Sequence, residues 1–486
     1  FIFKGARQQI RKKSPLLVHP LYCVDAVEVG YKKGGLKGIE AEKEAFVKSL
    51  QHPNAQGLIH VFFSMRKTSN IPWISKKQLK SAPKIRNLAV LGGGTMGSGI
   101  IVAALRAGMN VTLKEINDKY KDMAVKRIEG MLQGYIKKKR MTEEKYNQLL
   151  SKFTAQTDYS GFKKFDMVVE AVLEIVDLKK KVFGELESVC SDDCVFATNT
   201  STIELPLIAN GLNQSSQSRL IGLHFFSPAH IMPLLEIITA DGITSNSTLA
   251  SSLVFTKQIR KTPMVVKSCP GFVINRVFAF YGGAAAYLVT RGVHPYRIDK
   301  VLKAFGMPMG PFQMMDLAGI DIGSHAGVIM QKAMNDRLDV NALFPKMLEL
   351  KRFGQKTKIG FYSYANGRKP EKDSSLDAII KGVRKSEGNP KNITVSDAEI
   401  VQCLLLPVVN ECCRCLDEGV AIRASDIDMG SILGMGFPPF RGGIMKWVEI
   451  DFGWKKTEQL LNNLTAKFGS NMWKPCQYLK NLASQD

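Results

Sequence analysis

The stretch Ile85-Arg86-Asn87-Leu88-Ala89-Val90-Leu91 runs straight into Gly92-Gly93-Gly94-Thr95-Met96-Gly97. An apolar strand opening onto G-x-G-x-x-G and then a helix is a demanding arrangement, because each glycine answers a separate steric need. The first permits a tight turn, the second lets backbone approach a pyrophosphate, and the third lets helix and strand pack closely. The helix N-terminus then faces the negative charge. The pattern predicts a helix that stops at Gly108 and a second strand at Val111-Thr112-Leu113-Lys114-Glu115. Glu115 follows the glycines at the spacing where a carboxylate reaches the ribose hydroxyls of a dinucleotide. A carboxylate there repels a 2′-phosphate, so the expected cofactor is NAD, held by Gly92, Gly94, Thr95, Met96, Gly97 and Glu115.

Short apolar strands and longer amphipathic segments alternate as far as about residue 268, which reads as a parallel sheet with crossover helices. From Pro270 the pattern turns helical and a weak internal repeat appears. Arg291-Gly292-Val293, Ile298-Asp299, Gly306-Met307 and Pro311-Phe312 are echoed by Glu418-Gly419-Val420, Ile427-Asp428, Gly434-Met435 and Pro439-Phe440. The expected organisation is α/β: a Rossmann-type domain over 83–268, a helical domain over 269–365, a polar, Lys-rich linker over 366–392, and a second, related helical domain over 393–486. Residues 1–82 show helical patterning at Glu40 to Leu50 and Gly57 to Met65 without a strand-rich core, so they lean on something else. Lys76 to Lys84 reads as a connector. A chain of 486 residues with 45% hydrophobic content is long enough to bury several cores.

Lys plus Arg total 67 against 44 Asp plus Glu, a formal charge of +23 that attracts polyanions, whether nucleic acid, anionic lipid or a phosphate-rich small molecule. The nine cysteines show no secreted disulfide framework. Cys190, Cys194 and the Cys412-Cys413-Arg414-Cys415 run lack a second Cys or His pair at zinc spacing, so thiols are expected and no metal. The apolar run Leu220 to Ile238 is interrupted by His224, Ser227, Pro228, His230 and Pro233, and no segment reads as a membrane span. The chain opens on Phe1 with no signal-peptide pattern, which reads as a cut through a longer parent.

Ligands of open α/β sheets gather beyond the carboxyl ends of the strands, so Glu174, Asn199, Ser201 and His224 are expected to face one crevice. Removing hydride from an alcohol requires a base for the hydroxyl proton, and an imidazole titrates in the useful range. His224, between Leu223 and Phe225, reads either as that base or as a satisfied core residue. Glu236, alone in the apolar run Leu234-Leu235-Glu236-Ile237-Ile238, is costly to bury unless paired, and its nearness to His224 favours the base. His230, between Ala229 and Ile231 with no obvious acidic partner, reads as structural. The run Lys137-Lys138-Lys139-Arg140 reads as a solvated helix face or as a holder of a ligand phosphate.

With the Gly92 to Gly97 loop, Asn199-Thr200-Ser201-Thr202, His224-Phe225-Phe226-Ser227-Pro228 and Pro270-Gly271-Phe272-Val273-Ile274-Asn275-Arg276, the chain resembles the 3-hydroxyacyl-CoA dehydrogenases over about residues 83 to 486. The doubled helical part, and an upstream segment similar to the tail of a crotonase-like enoyl-CoA hydratase module, narrow the resemblance to the multifunctional fatty acid β-oxidation enzymes. The wording around Gly306 to Pro311 and Gly434 to Gly443 looks most like those of plant peroxisomes.

The resemblance implies NAD-dependent oxidation of a (3S)-3-hydroxyacyl-CoA, with His224 as general base and Glu236 as its partner. It places Ser201 and Asn275 around the reacting oxygens, Glu174 and Lys179 on the cofactor side with Asn199, and Lys138 at the phosphorylated adenosine end of coenzyme A. Ser227 departs from the asparagine frequent at that position. Residues 1 to 80 lack the oxyanion loop and paired glutamates of a hydratase, so hydration of enoyl-CoA is not expected of this chain. A monomer whose repeat serves as an internal pseudo-dimer is implied. So is a peroxisomal address, which rests on the resemblance alone because Ser484-Gln485-Asp486 is no peroxisomal tripeptide. The alternative from a different class is a noncatalytic binder of RNA or another polyanion through the basic surface, kept here as a weak side activity.

Overall fold

The computed structural model describes residues 1–486. The apolar runs form strands buried on both faces, as a sheet covered by helices requires. One sheet contains β1 (Asn87–Leu91), β2 (Asn110–Lys114), β3 (Phe153–Gln156), β4 (Met167–Glu170), β5 (Val195–Thr198), β6 (Leu220–Phe225), β7 (Leu234–Thr239) and β8 (Thr262–Lys267). Their order is β3-β2-β1-β4-β5-β6-β7-β8. β1 to β6 pair in parallel, and the order reverses between β1 and β4, which creates a crevice at their carboxyl ends.

The sheet departs from the expected parallel pattern at β7, which runs antiparallel to β6. The connection from Phe226 to Pro233 is too short for a crossover, which needs a dozen residues or more. This return sets Glu236 directly opposite His224 in the ladder.

The helix Thr95–Arg106 ends just before Gly108, whose φ of +88° suits glycine. The connector after residue 76 is partly helical, contrary to expectation: Lys76–Ser81 forms a short helix closed by a capping box between Ser75 and Gln78. The stretch 366–392, expected as a linker, is also ordered. It supplies the strand Glu371–Lys372, paired with Tyr362–Ser363, and the helix Leu376–Ser386. Leu376 and Val383 lie two turns apart on one face of that helix and are buried, an apolar stripe that the surrounding lysines obscure in composition.

From Ile274 onward the chain is mainly helical, and the helix Ile274–Thr290 packs along Asp397–Asp417. One hydrophobic cluster runs through both helical units, taking in Phe280, Tyr281, Leu404, Val408, Trp447 and Trp473, with Leu234 and Met264 from the sheet. Two further clusters cover the sheet around Ile100, Leu113 and Ile128, and around Phe162, Phe183 and Phe196.

One of the sequence echoes coincides structurally. Asp299 accepts from the Phe312 and Gln313 amides at 2.9 and 3.0 Å, and Asp428 accepts from Met445 and Lys446 at 2.8 and 3.2 Å. The Pro311/Pro439 echo does not. Pro311 opens the helix Pro311–Ala318, whereas Pro439 opens only a 3-10 turn, and the helix capped by Asp428 starts at Ile444.

At the N-terminus the helices Ile2–Lys13, His19–Lys33 and Gly35–Gln51 bury no residue. The helix Pro53–Lys67 docks onto the second helical unit so closely that a Cβ on Gly57 would lie 2.4 Å from the Phe440 carbonyl oxygen. No helix is long and apolar enough to cross a membrane.

Candidate active site

The glycine loop has the shape its residues predict. Gly92 adopts φ +92°, and a Cβ there would meet the Ala171 carbonyl oxygen at 2.7 Å. A Cβ on Gly97 would come within 1.8 Å of the Gly92 carbonyl oxygen, so the helix can sit on the loop only as glycine. At Gly94, between them, a Cβ would meet nothing within 4 Å, and the helix Thr95–Arg106 starts there with no side chain capping its first amides. This is the cradle a pyrophosphate fits. Glu115 Oε1 accepts from the Gly93 amide at 2.5 Å and Oε2 from Ile116 at 3.0 Å. The carboxylate therefore braces the loop as well as standing where a ribose would lie.

Beyond β4 and β5 lies a buried ionic chain. Lys179 Nζ sits 2.7 and 2.9 Å from the two oxygens of Glu170 and 3.3 Å from Glu174 Oε2. The Thr198 hydroxyl also donates to Glu170, at 2.7 Å. Glu174 Oε1 accepts from the Thr200 hydroxyl at 2.6 Å, the Ser201 amide at 2.8 Å and the Ser201 hydroxyl at 3.2 Å. Burial works against the Glu174 charge, but the charge of Lys179 and the Thr200 and backbone hydrogen bonds outweigh it and hold its pKa below the ordinary value. Asn275 Nδ2 donates to the Ser201 carbonyl at 3.0 Å, and Asn199 Oδ1 accepts from the Phe225 amide at 3.0 Å.

At the end of β6, His224 Nδ1 lies 2.8 Å from Glu236 Oε2. The other carboxylate oxygen accepts from the Val273 and Ile274 amides at 3.2 and 3.1 Å. These amides open the helix Ile274–Thr290, so a fully buried carboxylate is set at a helix N-terminus, where the dipole favours its charge. A carboxylate without a proton only accepts, so opposite such a Glu236 it is Nδ1 that donates and Nε2 that keeps its lone pair. The Phe226 ring, at 4.6 Å between centroids, and Phe272, at 5.8 Å, flank the imidazole.

The structure thus links Lys179, Glu174, Ser201 and Asn275 in one chain of contacts, pairs His224 with Glu236, and ties Asn199 to the backbone of Phe225, next to His224. Lys138 stands apart, exposed at the C-terminal end of the helix Asp118–Lys137. Beside it is a surface depression of about 680 Å³ lined by Arg106, Lys139, Arg140 and Lys145 among others. His230 has no carboxylate partner. Burial, then the charges of Arg106, Lys261 and Lys138, push its pKa down. Glu170 was not singled out from sequence. Its signal resembles the one used for Glu236, a lone carboxylate in an apolar strand, here at the strand's end with Lys179 on the following helix.

Family models match on the same residues: the 3-hydroxyacyl-CoA dehydrogenase NAD binding domain over 87–269 and the 3-hydroxyacyl-CoA dehydrogenase C-terminal domain over 271–364. The chain belongs to the 3-hydroxyacyl-CoA dehydrogenase family. NAD is accordingly the cofactor of its Rossmann domain, in keeping with the cradle at Gly94. A peroxisomal fatty acid beta-oxidation multifunctional protein of Arabidopsis thaliana is 42% identical over 99% of this chain and 66% of its own length. The chain spans about 66% of the length of the plant relatives it matches. Among solved structures, the dehydrogenase part of a multifunctional enzyme from C. elegans is 28% identical, with a TM-score of 0.63 over 87% of this chain and 96% of that one. A (S)-3-hydroxybutyryl-CoA dehydrogenase from Ralstonia eutropha is 30% identical, covering 58% of this chain and all of its own, with a TM-score of 0.54.

Proposed function

We propose that this chain oxidises (3S)-3-hydroxyacyl-CoA to 3-ketoacyl-CoA with NAD, as the dehydrogenase step of fatty acid β-oxidation. The observation that carries the reading is the His224–Glu236 pair. A buried imidazole with Nδ1 tied to a carboxylate has only Nε2 free to act, and Nε2 takes the substrate hydroxyl proton. NAD supplies the acceptor for the hydride leaving C3. The resulting imidazolium is stabilised by Glu236, whose own charge is held by the Val273 and Ile274 amides. Ser201 and Asn275 hold the reacting oxygens, and Glu174, Lys179 and Asn199 order the cofactor side. A positioned base contributes about 10²- to 10⁴-fold.

Lys138 and its basic neighbours take the phosphorylated adenosine end of coenzyme A. Residues 83–268 form the NAD-binding domain, 269–365 and 393–486 two related helical domains, and 1–82 a remnant of a hydratase/isomerase module that does not hydrate enoyl-CoA. The protein acts as a monomer in which the second helical domain stands in for a partner, and the common hydrophobic cluster supports that. It works in peroxisomes, the location named for its plant relatives. The comparisons lend no support to polyanion binding as the principal role.

The test is NADH absorbance with (3S)-3-hydroxyacyl-CoA substrates of short, medium and long chain, beside an enoyl-CoA hydration assay. NADH formation without hydration is the expected result. No NADH from any chain length rejects the reading.

A further inference from the structure

A buried ionic cluster links the second helical unit to the turn whose amides hold Glu236. The Glu411 side chain, on the helix Asp397–Asp417, is only 1% exposed. Its carboxylate accepts from Arg276 Nε at 2.6 Å and from Arg337 Nε and Nη2 at 3.0 Å each. Arg276 also forks onto Glu418 at 2.6 and 2.8 Å. Burial opposes the Arg276 charge, yet Glu418 and Glu411 outweigh it and hold that guanidinium firmly charged.

Arg276 stands directly after Asn275, and its amide donates to the Gly271 carbonyl at 3.1 Å, closing a tight turn. Within that turn Gly271 has φ +71° and Phe272 φ +53°. Glycine takes this conformation freely, but for phenylalanine it is disfavoured, because Cβ crowds the following carbonyl oxygen. Such strain persists only where the surroundings over-determine it. What it accomplishes here is visible: the turn aims the Val273 and Ile274 amides at Glu236 Oε1. A buried ion pair is weak evidence for stability, since apolar residues of similar volume often do as well. Its placement is therefore the informative property.

We propose that Glu411, from the second helical unit, is a positioning residue for the reaction at His224: through Arg276 it holds the strained turn that fixes Glu236. The second unit then has a share in the chemistry although it brings no group to the reacting atoms. The inference rests on the reading of His224 as the base.

The test is Glu411→Gln in the full chain, alone and in a Glu236→Gln background, with kcat and the KM for NAD measured in each. A displaced turn lowers kcat on the order of 10-fold or more and moves the KM for NAD less than about 2-fold. In the Glu236→Gln background the same change lowers kcat less than about 3-fold, because residues acting as a unit are not additive. An equal fall in both backgrounds, or no fall in the first, overturns the proposal. If Glu411→Gln does not fold, Arg276→Lys is measured in the same backgrounds against the same limits, since lysine keeps the charge but cannot fork across two carboxylates. His224→Gln in parallel separates the two readings. Turnover lost there but intact in Glu411→Gln rejects only the positioning role, whereas turnover retained in His224→Gln rejects the base.

Discussion

Asp299 and Asp428 occupy corresponding posts in the two helical units, but each completes its carboxylate with a different partner. Asp299 Oδ2 accepts from the Tyr362 hydroxyl at 2.9 Å, within its own unit. Asp428 Oδ2 instead lies 2.8 Å from Nε2 of His60, which arrives from the N-terminal helix Pro53–Lys67. The first unit closes on itself, and the second is closed by a distant part of the chain.

Burial pushes Asp299 up to about 6 from an ordinary 3.8, against the pull of the Phe312 amide and the Tyr362 hydroxyl. Between these values the folded protein keeps a proton that the unfolded chain has released. Stability is therefore fullest below the ordinary value and is lost as pH rises to about 6, by up to about 1.4 kcal/mol per unit. In Asp299→Asn the unfolding free energy from urea titrations should be flatter over roughly pH 4 to 6 than in the unaltered protein. Parallel curves for the two would show that Asp299 does not titrate in this window.

His224→Gln keeps a polar side chain but removes the base, so turnover should fall by about two to four orders of magnitude while NAD still binds. Glu236→Gln should be milder, because the imidazole remains. The double variant should cost little more than His224→Gln alone. Stopped-flow NADH formation measures all three, and near-normal turnover in His224→Gln would redirect the search for the base to His230.

Glu115→Ala removes both the ribose acceptor and the brace on the Gly93 amide. NAD affinity should weaken on the order of 10-fold, the scale of a charge-assisted hydrogen bond, and discrimination against NADP should relax. Unchanged preference in equilibrium binding to both cofactors would remove Glu115 from the recognition of the ribose.

Lys138→Ala should raise the KM for acyl-CoA by about 2- to 5-fold, the scale of one exposed ion pair, and spare kcat. Phosphate binding is the same in ground and transition states. A KM that does not move, in a variant that folds normally, would make the basic run a solvated face only.

Much of the site was legible because its residues break local rules. Glu236 could be singled out as a carboxylate in an apolar strand, and the glycine loop because no other residue fits at Gly92 and Gly97. The reversal of β7 was not read, although the eight residues from Phe226 to Pro233 leave no room for a crossover. The helix Leu376–Ser386 was hidden by lysines on its solvent face, and the helix Lys76–Ser81 by the same composition despite a readable Ser75–Gln78 cap. The tie between Arg276 and Glu411 leaves no trace in local pattern at all. It exists only once two helices far apart in sequence are packed together.

The docking of the helix Pro53–Lys67 separates order along the chain from attachment in space. Arg423 donates to the Lys67 and Asn70 carbonyls at 2.8 and 3.0 Å, and His60 reaches Asp428, so the opening helices are tied chiefly to the far end of the molecule, with one contact to the Rossmann domain where the Thr262 hydroxyl donates to Met65 Sδ at 3.4 Å. A protease nick between Asn70 and Lys84 would therefore go unnoticed in a native sizing experiment. The fragments would travel together until denatured, like a hinge pin still seated after its leaf has been cut.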